Sequence, residues 1–228
     1  AHLFKAKSLE KIMQSLTNCP IRIGTTGTLD GTKVNKLVLE GLFGPVYQVE
    51  RTASLIEQGR LSQLRVRCVV LEYPEQERKT AGKDYQEELD FITSHRRRNE
   101  LIRDLALTLK GNTLILYAWV EKHGRPIYDL IAAAAPPGRK VFFIHGGTDA
   151  KDREAIRHIV EKEKDVIIVA SYGVFSTGVN IRNLHNAVAA SPSKSVVRVL
   201  QSIGRILRLG DDKEYATWYD FADDITWK

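Results

Sequence analysis

A chain of 228 residues with 34 Lys and Arg, 28 Asp and Glu and 43% hydrophobic content has the length of one large domain or two smaller ones and an ordinary globular composition. Collagen, a disulfide scaffold and wholesale disorder are excluded, and Cys19 and Cys68 are too few for a cysteine zinc cage, so a reducing compartment is expected. No apolar run reaches the ~20 residues of a membrane helix, Ala1–Lys5 lacks a signal-peptide core, and the net charge of +6 permits an anionic partner without requiring one.

The spacing of Leu9, Ile12, Met13 and Leu16 predicts a helix over 8–16, stopped before Asn18 and Pro20. A short strand over 21–24 then leads into the small-residue loop Thr25-Thr26-Gly27-Thr28. A helix over 33–42 ends at Gly44-Pro45, and β-branched and apolar residues predict strands over 46–51 and 65–71. The Pro-, Gly- and charge-rich stretch 73–85 is the expected linker or domain boundary. Beyond it, helices are predicted over 96–109, with Leu101, Leu105 and Leu109 on one face, and over 125–135, 149–163 and 193–209. Strands are predicted over 113–120, 140–145, 166–171, 187–190 and 215–221, and Asp149 is a candidate N-cap. Strands and helices that alternate across short loops imply an α/β fold with a parallel sheet covered on both faces.

In such folds ligands gather at the carboxyl ends of the strands. Three loops rich in Gly, Ser and Thr are expected there: 24–30, 145–149 and 172–183. Their backbone N–H groups and hydroxyls suit phosphate, although the same residues also make plain turns. The helix over 193–209 carries the pattern Gln201, Gly204, Arg205, Arg208. At 100° per residue Arg205 lies about 40° and Arg208 about −20° from Gln201, so all three share one face. Val199, Leu200, Ile203, Ile206 and Leu207 fall on the other side, where they would anchor the helix. Gly204, beside the polar stripe, costs about 1 kcal/mol relative to Ala and hints at close backbone approach. A solvated arginine face is the plainer alternative.

Gln201-Ser202-Ile203-Gly204-Arg205-Ile206-Leu207-Arg208 resembles the sixth conserved motif of superfamily 2 helicases. Ser176-Thr177-Gly178-Val179-Asn180-Ile181 is similar to their fifth, and Thr26-Gly27-Thr28-Leu29 to the third in the form used by the XPB-like group. Residues 113–120 with His145-Gly146 resemble motif IV and the DNA-proximal loop after it, and Ala1-His2 resembles the end of a D-E-A-H box. The resemblance implies a RecA-like second helicase lobe over 96–228, a linker over 71–95, and the tail of a first RecA-like lobe over 1–70. It implies an ATP-dependent DNA helicase that remodels branched intermediates in recombination, repair and replication restart. ATP would sit between the lobes, with Arg208 as the arginine finger, Arg205 beside it, and Gln201 positioning the γ-phosphate or the attacking water. Gly178, Asn180 and His2 would lie at the nucleotide, while Thr26, Gly27 and Thr28, together with His2, would couple hydrolysis to lobe movement. Thr177, Gly146, Gly147 and Thr148 would contact nucleic acid, with Lys122 and Arg153 as weaker candidates.

A phosphate-binding G-x-x-x-x-G-K-[ST] loop is missing, since Gly31-Thr32-Lys33 has the wrong order. The Asp and Glu that hold Mg²⁺ in the family are also missing, and no metal ligand is assigned within this chain. The chain is therefore expected to be a fragment, inactive alone, whose partners are the upstream RecA-like lobe and single-stranded or branched DNA. A cytoplasmic location without membrane contact is expected. The rival reading is a non-catalytic basic α/β module that binds nucleic acid passively; a small-molecule enzyme is disfavoured because no G-x-G-x-x-G follows a strand. The run Arg96-Arg97-Arg98 reads as a solvated helix start, and Trp218, Tyr219 and Trp227 read as core or covered edge rather than base-stacking groups.

Overall fold

The computed structural model describes residues 7–26, 33–82, 84–177, 181–210 and 212–225. The N-terminal part holds three helices, α1 (Lys7–Ser15), α2 (Lys33–Phe43) and α3 (Thr52–Glu57). There follow β1 (Gln63–Glu72), α4 (Glu75–Thr80), α5 (Tyr85–Ser94), α6 (Arg96–Thr108) and β2 (Thr113–Tyr117). A π-helical turn, Val120–Gly124, runs into α7 (Arg125–Ala134) and then β3 (Val141–Ile144). The remainder is α8 (Ala150–Lys162), β4 (Ile167–Ser171), α9 (Tyr172–Thr177), β5 (Asn186–Ala189), α10 (Val196–Ile206) and β6 (Tyr215–Asp224).

The six strands form one sheet in the order β1-β6-β5-β2-β4-β3, parallel at every pairing. β2 and β5 are buried along their whole length, which explains their continuous apolar runs: both faces are covered. Alternation along β2 divides the core. Leu114 and Leu116 join Val160 of α8, Tyr172 and Phe175 of α9 and Ile206 of α10. Ile115 and Tyr117 join Ile102 and Ala106 of α6 with Ile127 and Ile131 of α7. The result is the three-layer, RecA-like α/β arrangement, with α3, α8, α9 and α10 on one face and α6 and α7 on the other.

Several expectations change. Neither 21–24 nor 46–51 is a strand: Ile21, Ile23, Tyr47 and Val49 are 75–93% exposed, and no strand among the described residues pairs with them. Apolar, β-branched sequence makes a strand only where a ladder partner exists. Conversely, residues 63–72, read as the end of the N-terminal unit (to 70) and the start of the linker, pair with β6 at ten consecutive positions and so belong to the sheet built by 113–224. The stretch expected as a linker is folded. Asp84 caps α5 by accepting from the N–H groups of Gln86 and Glu87, and Tyr73, Ala81, Ile92 and Ile225 form a small core of their own.

On α6 the inward residues are Ile102 and Ala106, flanked by Leu105 and Leu109, whereas Leu101 is exposed. Arg96 and Arg97 are exposed as expected, but Arg98 is buried. Its Nε donates to Asp223 Oδ1 at 2.8 Å and its Nη1 to the Ala190 carbonyl at 2.8 Å, while Tyr73 donates to the same Asp223 oxygen at 2.6 Å. Burial and the Asp223 carboxylate both push the Tyr73 phenol above its usual range. Asp149 stands at the N-cap of α8 but makes no side-chain capping bond.

Candidate functional site

The helix α10 is built to present one side. Ser195 caps it by accepting from the Arg198 N–H at 3.3 Å, and the Ser202 hydroxyl returns to the Arg198 carbonyl at 2.9 Å, so the buried hydroxyl is satisfied. Val199, Ser202, Ile203, Ile206 and Leu207 face the sheet; Leu200, expected among them, is 49% exposed. Gln201, Arg205 and Arg208 lie half-buried along the flank of that packed stripe, and Gly204 between them is exposed with nothing within 4 Å of a Cβ added there.

The charges on this flank are concentrated. The Arg205 guanidinium stands 6.0 Å from the Phe175 ring of α9, and its pKa is lowered by burial and then by the positive charge of Arg208. Nη1 of Arg208 is shielded from solvent and meets no hydrogen-bond acceptor among the described residues. Two neighbouring guanidiniums, one with a desolvated orphan donor, form a site that an anion stabilises and a neutral ligand does not.

The last turn of α10 meets the beginnings of strands, not their ends. The Ser62 N–H, one residue before β1, donates to the Leu207 carbonyl at 2.8 Å. Arg208 thus sits toward the amino-terminal edge of the sheet. Of the three loops expected at the carboxyl edge, 145–149 leaves β3 there and 172–183 begins there as α9, while 24–30 follows no strand. The arginines and the 145–149 loop therefore occupy different parts of the lobe.

The 145–149 loop is a tight turn. Thr148 Oγ1 accepts from the His145 N–H at 3.0 Å, and His145 Nδ1 accepts from the Gly147 N–H at 3.1 Å. Gly146 and Gly147 are exposed, and open space lies beyond Gly146, so an extended backbone can approach closely there. Arg153, on the first turn of α8, has its Nε shielded without a partner among the described residues, whereas Lys122 is paired with Asp90.

Thr177 ends α9, and Thr26 follows the irregular stretch 19–25. His2, Gly27, Thr28, Gly178, Asn180 and Trp227 lie outside the described residues, and of Thr177 the side chain does. Trp218 and Tyr219 are in the core, as read from the sequence. Among the described residues no group of three or more His, Cys, Asp or Glu could hold a metal ion, and no helix is long and apolar enough to cross a membrane.

The carboxyl edge is held by a buried network absent from the sequence reading. His123, fully buried on the π-helical turn, has its Nε2 at 3.1 Å from Asn99 Oδ1 and its Nδ1 at 2.6 Å from Ser191 Oγ. The Asn99 amide nitrogen donates to the Thr93 carbonyl, so its oxygen faces the ring. This assigns the proton to Nε2 and leaves Nδ1 to accept from the Ser191 hydroxyl, whose oxygen accepts the Ala118 N–H at 3.0 Å. Burial, then Arg98, pushes the His123 pKa down to about 3, so the ring is neutral. Gly124 lets the π-helical turn lie on Tyr117, since a Cβ there would stand 2.6 Å from that ring.

A parallel RecA-like sheet thus carries a glutamine and two arginines on one helix flank and a Gly-Gly-Thr turn at the far edge. The helicase conserved C-terminal domain matches residues 97–210, half of the chain, and the chain belongs to that family. It is 38% identical over 226 residues to the ATP-dependent DNA helicase uvsW of Enterobacteria phage T4. That match covers 97% of this chain and 44% of the relative, so the chain spans less than half of that protein's length. The crystal structure of T4 UvsW superposes with a TM-score of 0.62 at 37% identity, over 83% of this chain and 36% of that one. A fragment of an HsdR subunit of a type I restriction enzyme from Vibrio vulnificus YJ016 shares the fold, with a TM-score of 0.64 at 20% identity over 86% of this chain and 38% of that one.

Proposed function

We propose that this chain is the arginine-bearing second lobe, with the tail of the first, of an ATP-driven DNA helicase that remodels branched DNA during recombination, repair and replication restart. The observation that carries this is Arg208, whose shielded Nη1 has no acceptor among the described residues and which stands beside a second guanidinium. A triphosphate supplies the missing anion. Charge builds on the transferred phosphoryl group in the transition state, and a guanidinium aimed at it raises hydrolysis by about 10³–10⁵-fold. Arg208 would supply that charge, Arg205 would share it, and Gln201 would orient the γ-phosphate or the attacking water. Gly178, Asn180 and His2 would complete the nucleotide contact, and Thr26, Gly27 and Thr28 would transmit closure between lobes.

Mg²⁺ and most phosphate contacts would come from an upstream lobe, in keeping with the lack of a phosphate-binding loop. Gly146, Gly147, Thr148 and Thr177 would grip the DNA backbone, where exposed N–H groups and hydroxyls reach phosphate without reading sequence. The spatial separation of this loop from Arg208 suits a motor, in which hydrolysis at one place moves a strand held at another. A phage-encoded protein of this kind would act in the host cytoplasm.

Joining this chain to an upstream RecA-like lobe that bears a phosphate-binding loop tests the proposal. The joined protein should hydrolyse ATP, faster with single-stranded or branched DNA, and this chain alone should not. A joined, folded protein that binds DNA without turning over ATP would instead establish a passive binding module.

A further inference from the structure

Lys213 is 6% exposed, far below what is usual for lysine, and among the described residues no carboxylate pairs with it. Its Nζ donates instead to backbone carbonyls: those of Ile206 and of Arg208 (2.8 Å) at the end of α10, and that of Arg182 (3.5 Å) in the segment entering β5. The final carbonyls of a helix lack intrahelical donors and carry the negative end of its dipole, so a cation is favoured there. Ser62 completes the set, its N–H reaching the Leu207 carbonyl at 2.8 Å and its hydroxyl the Arg208 carbonyl at 3.4 Å. Three consecutive carbonyls, 206 to 208, are thereby fixed by Lys213 on the loop that follows the helix and by Ser62 from distant sequence.

We infer that Lys213 is a positioning residue for the arginine turn: one ammonium locks the backbone from which Arg208 projects and ties it to the segment that leads from residues 178–180 into β5. The inference rests on the ATP reading of Arg208. The charged and titratable groups around it are Arg208 just beyond α10, Arg182 and His185 before β5, and Asp212 on its own loop. Asp212 pairs with Lys164 at 2.6 Å, and the His185 pKa is lowered by burial and then by Lys213 itself. Among the described residues only carbonyl oxygens hold the ammonium, and burial brings its pKa down to about 8.

The test uses the complete helicase polypeptide that carries this chain. Lys213→Met should lower kcat for ATP about 10- to 100-fold with KM nearly unchanged, the loss expected when a transition-state group is misplaced by a fraction of its reach. Adding Lys213→Met to Arg208→Ala should cost nothing further, because the lysine acts through that arginine. Lys213→Arg, which keeps its charge at high pH, should restore turnover and move the alkaline fall in kcat, present near pH 8 in the unaltered protein, to higher pH. Multiplicative losses in the double variant, or an unmoved alkaline limb in Lys213→Arg, would overturn the inference. Amide exchange at Arg208 and Leu209 reads the clamp without activity: it should accelerate in Lys213→Met, and unchanged exchange would also overturn it. Absence of ATP turnover in the unaltered polypeptide, with that acceleration intact, would sink the ATP reading and leave the clamp standing.

Discussion

Gly204 lies on the exposed side of α10 between Gln201 and Arg208, with open space where a side chain would project. Nothing among the described residues requires glycine there, and alanine is the better helix former by about 1 kcal/mol. The expected outcome for Gly204→Ala in the complete helicase polypeptide is a protein that melts slightly higher but hydrolyses ATP more slowly, because the added methyl enters the space an apposed lobe would use. Thermal melting and steady-state turnover check both parts. His123 gives a second prediction at this scale. Its folded pKa of about 3 lies below the ordinary 6.5, so between those values the unfolded chain takes up a proton that the folded chain refuses. Stability should therefore fall as pH drops through that window, by on the order of 3 kcal/mol, and His123→Gln should flatten the slope in denaturant titrations at pH 4 and pH 7. The Gln201–Arg208 stripe was legible in the sequence because helical periodicity alone places those side chains on one face. Arg98 and Lys213 were not: the partners of Arg98, Asp223 and Ala190, are distant in sequence, and those of Lys213 are backbone carbonyls of Ile206, Arg208 and Arg182, which no side-chain pattern reveals.

Apart from α9, expected as loop, and the π-helical turn, the strands and helices of 96–224 were readable because buried parallel strands announce themselves as unbroken apolar runs between amphipathic helices. Their boundaries shift by a few residues only. What misled was context. Residues 46–51 have strand composition without a ladder partner, and 73–85 have loop composition yet fold as α4 against Tyr73 and Ile225 because β6 runs long enough to receive them. The allegiance of β1 likewise depends on a pairing 150 residues away that no local pattern encodes. Truncation separates these elements. Removal of residues 1–50 should leave the melting of the sheet nearly unchanged, whereas removal of 1–74 strips β6 of its outer ladder and should abolish cooperative unfolding, as followed by near-ultraviolet circular dichroism.

At the scale of the molecule, the lobe separates its tasks. A buried network of His123, Ser191, Asn99, Arg98 and Asp223 stiffens the carboxyl edge, where the Gly146-Gly147-Thr148 turn is exposed, and a carbonyl clamp stiffens the far end of α10, where the arginines gather. Rigid anchoring at both places is what the proposed helicase role would require if charge placed at one is to be felt as movement at the other. The order and spacing of the motifs made the class legible from sequence, but their division between two edges of the sheet emerged only from the hydrogen bonds of Ser62 and Lys213 to the α10 terminus. The most direct measurement is single-turnover ATP hydrolysis by the complete polypeptide with and without Arg208→Ala, alongside nucleotide binding by a fluorescent analogue. The account predicts that hydrolysis slows about 10³-fold or more while binding changes little. Hydrolysis at an undiminished rate in the Arg208→Ala protein would contradict it.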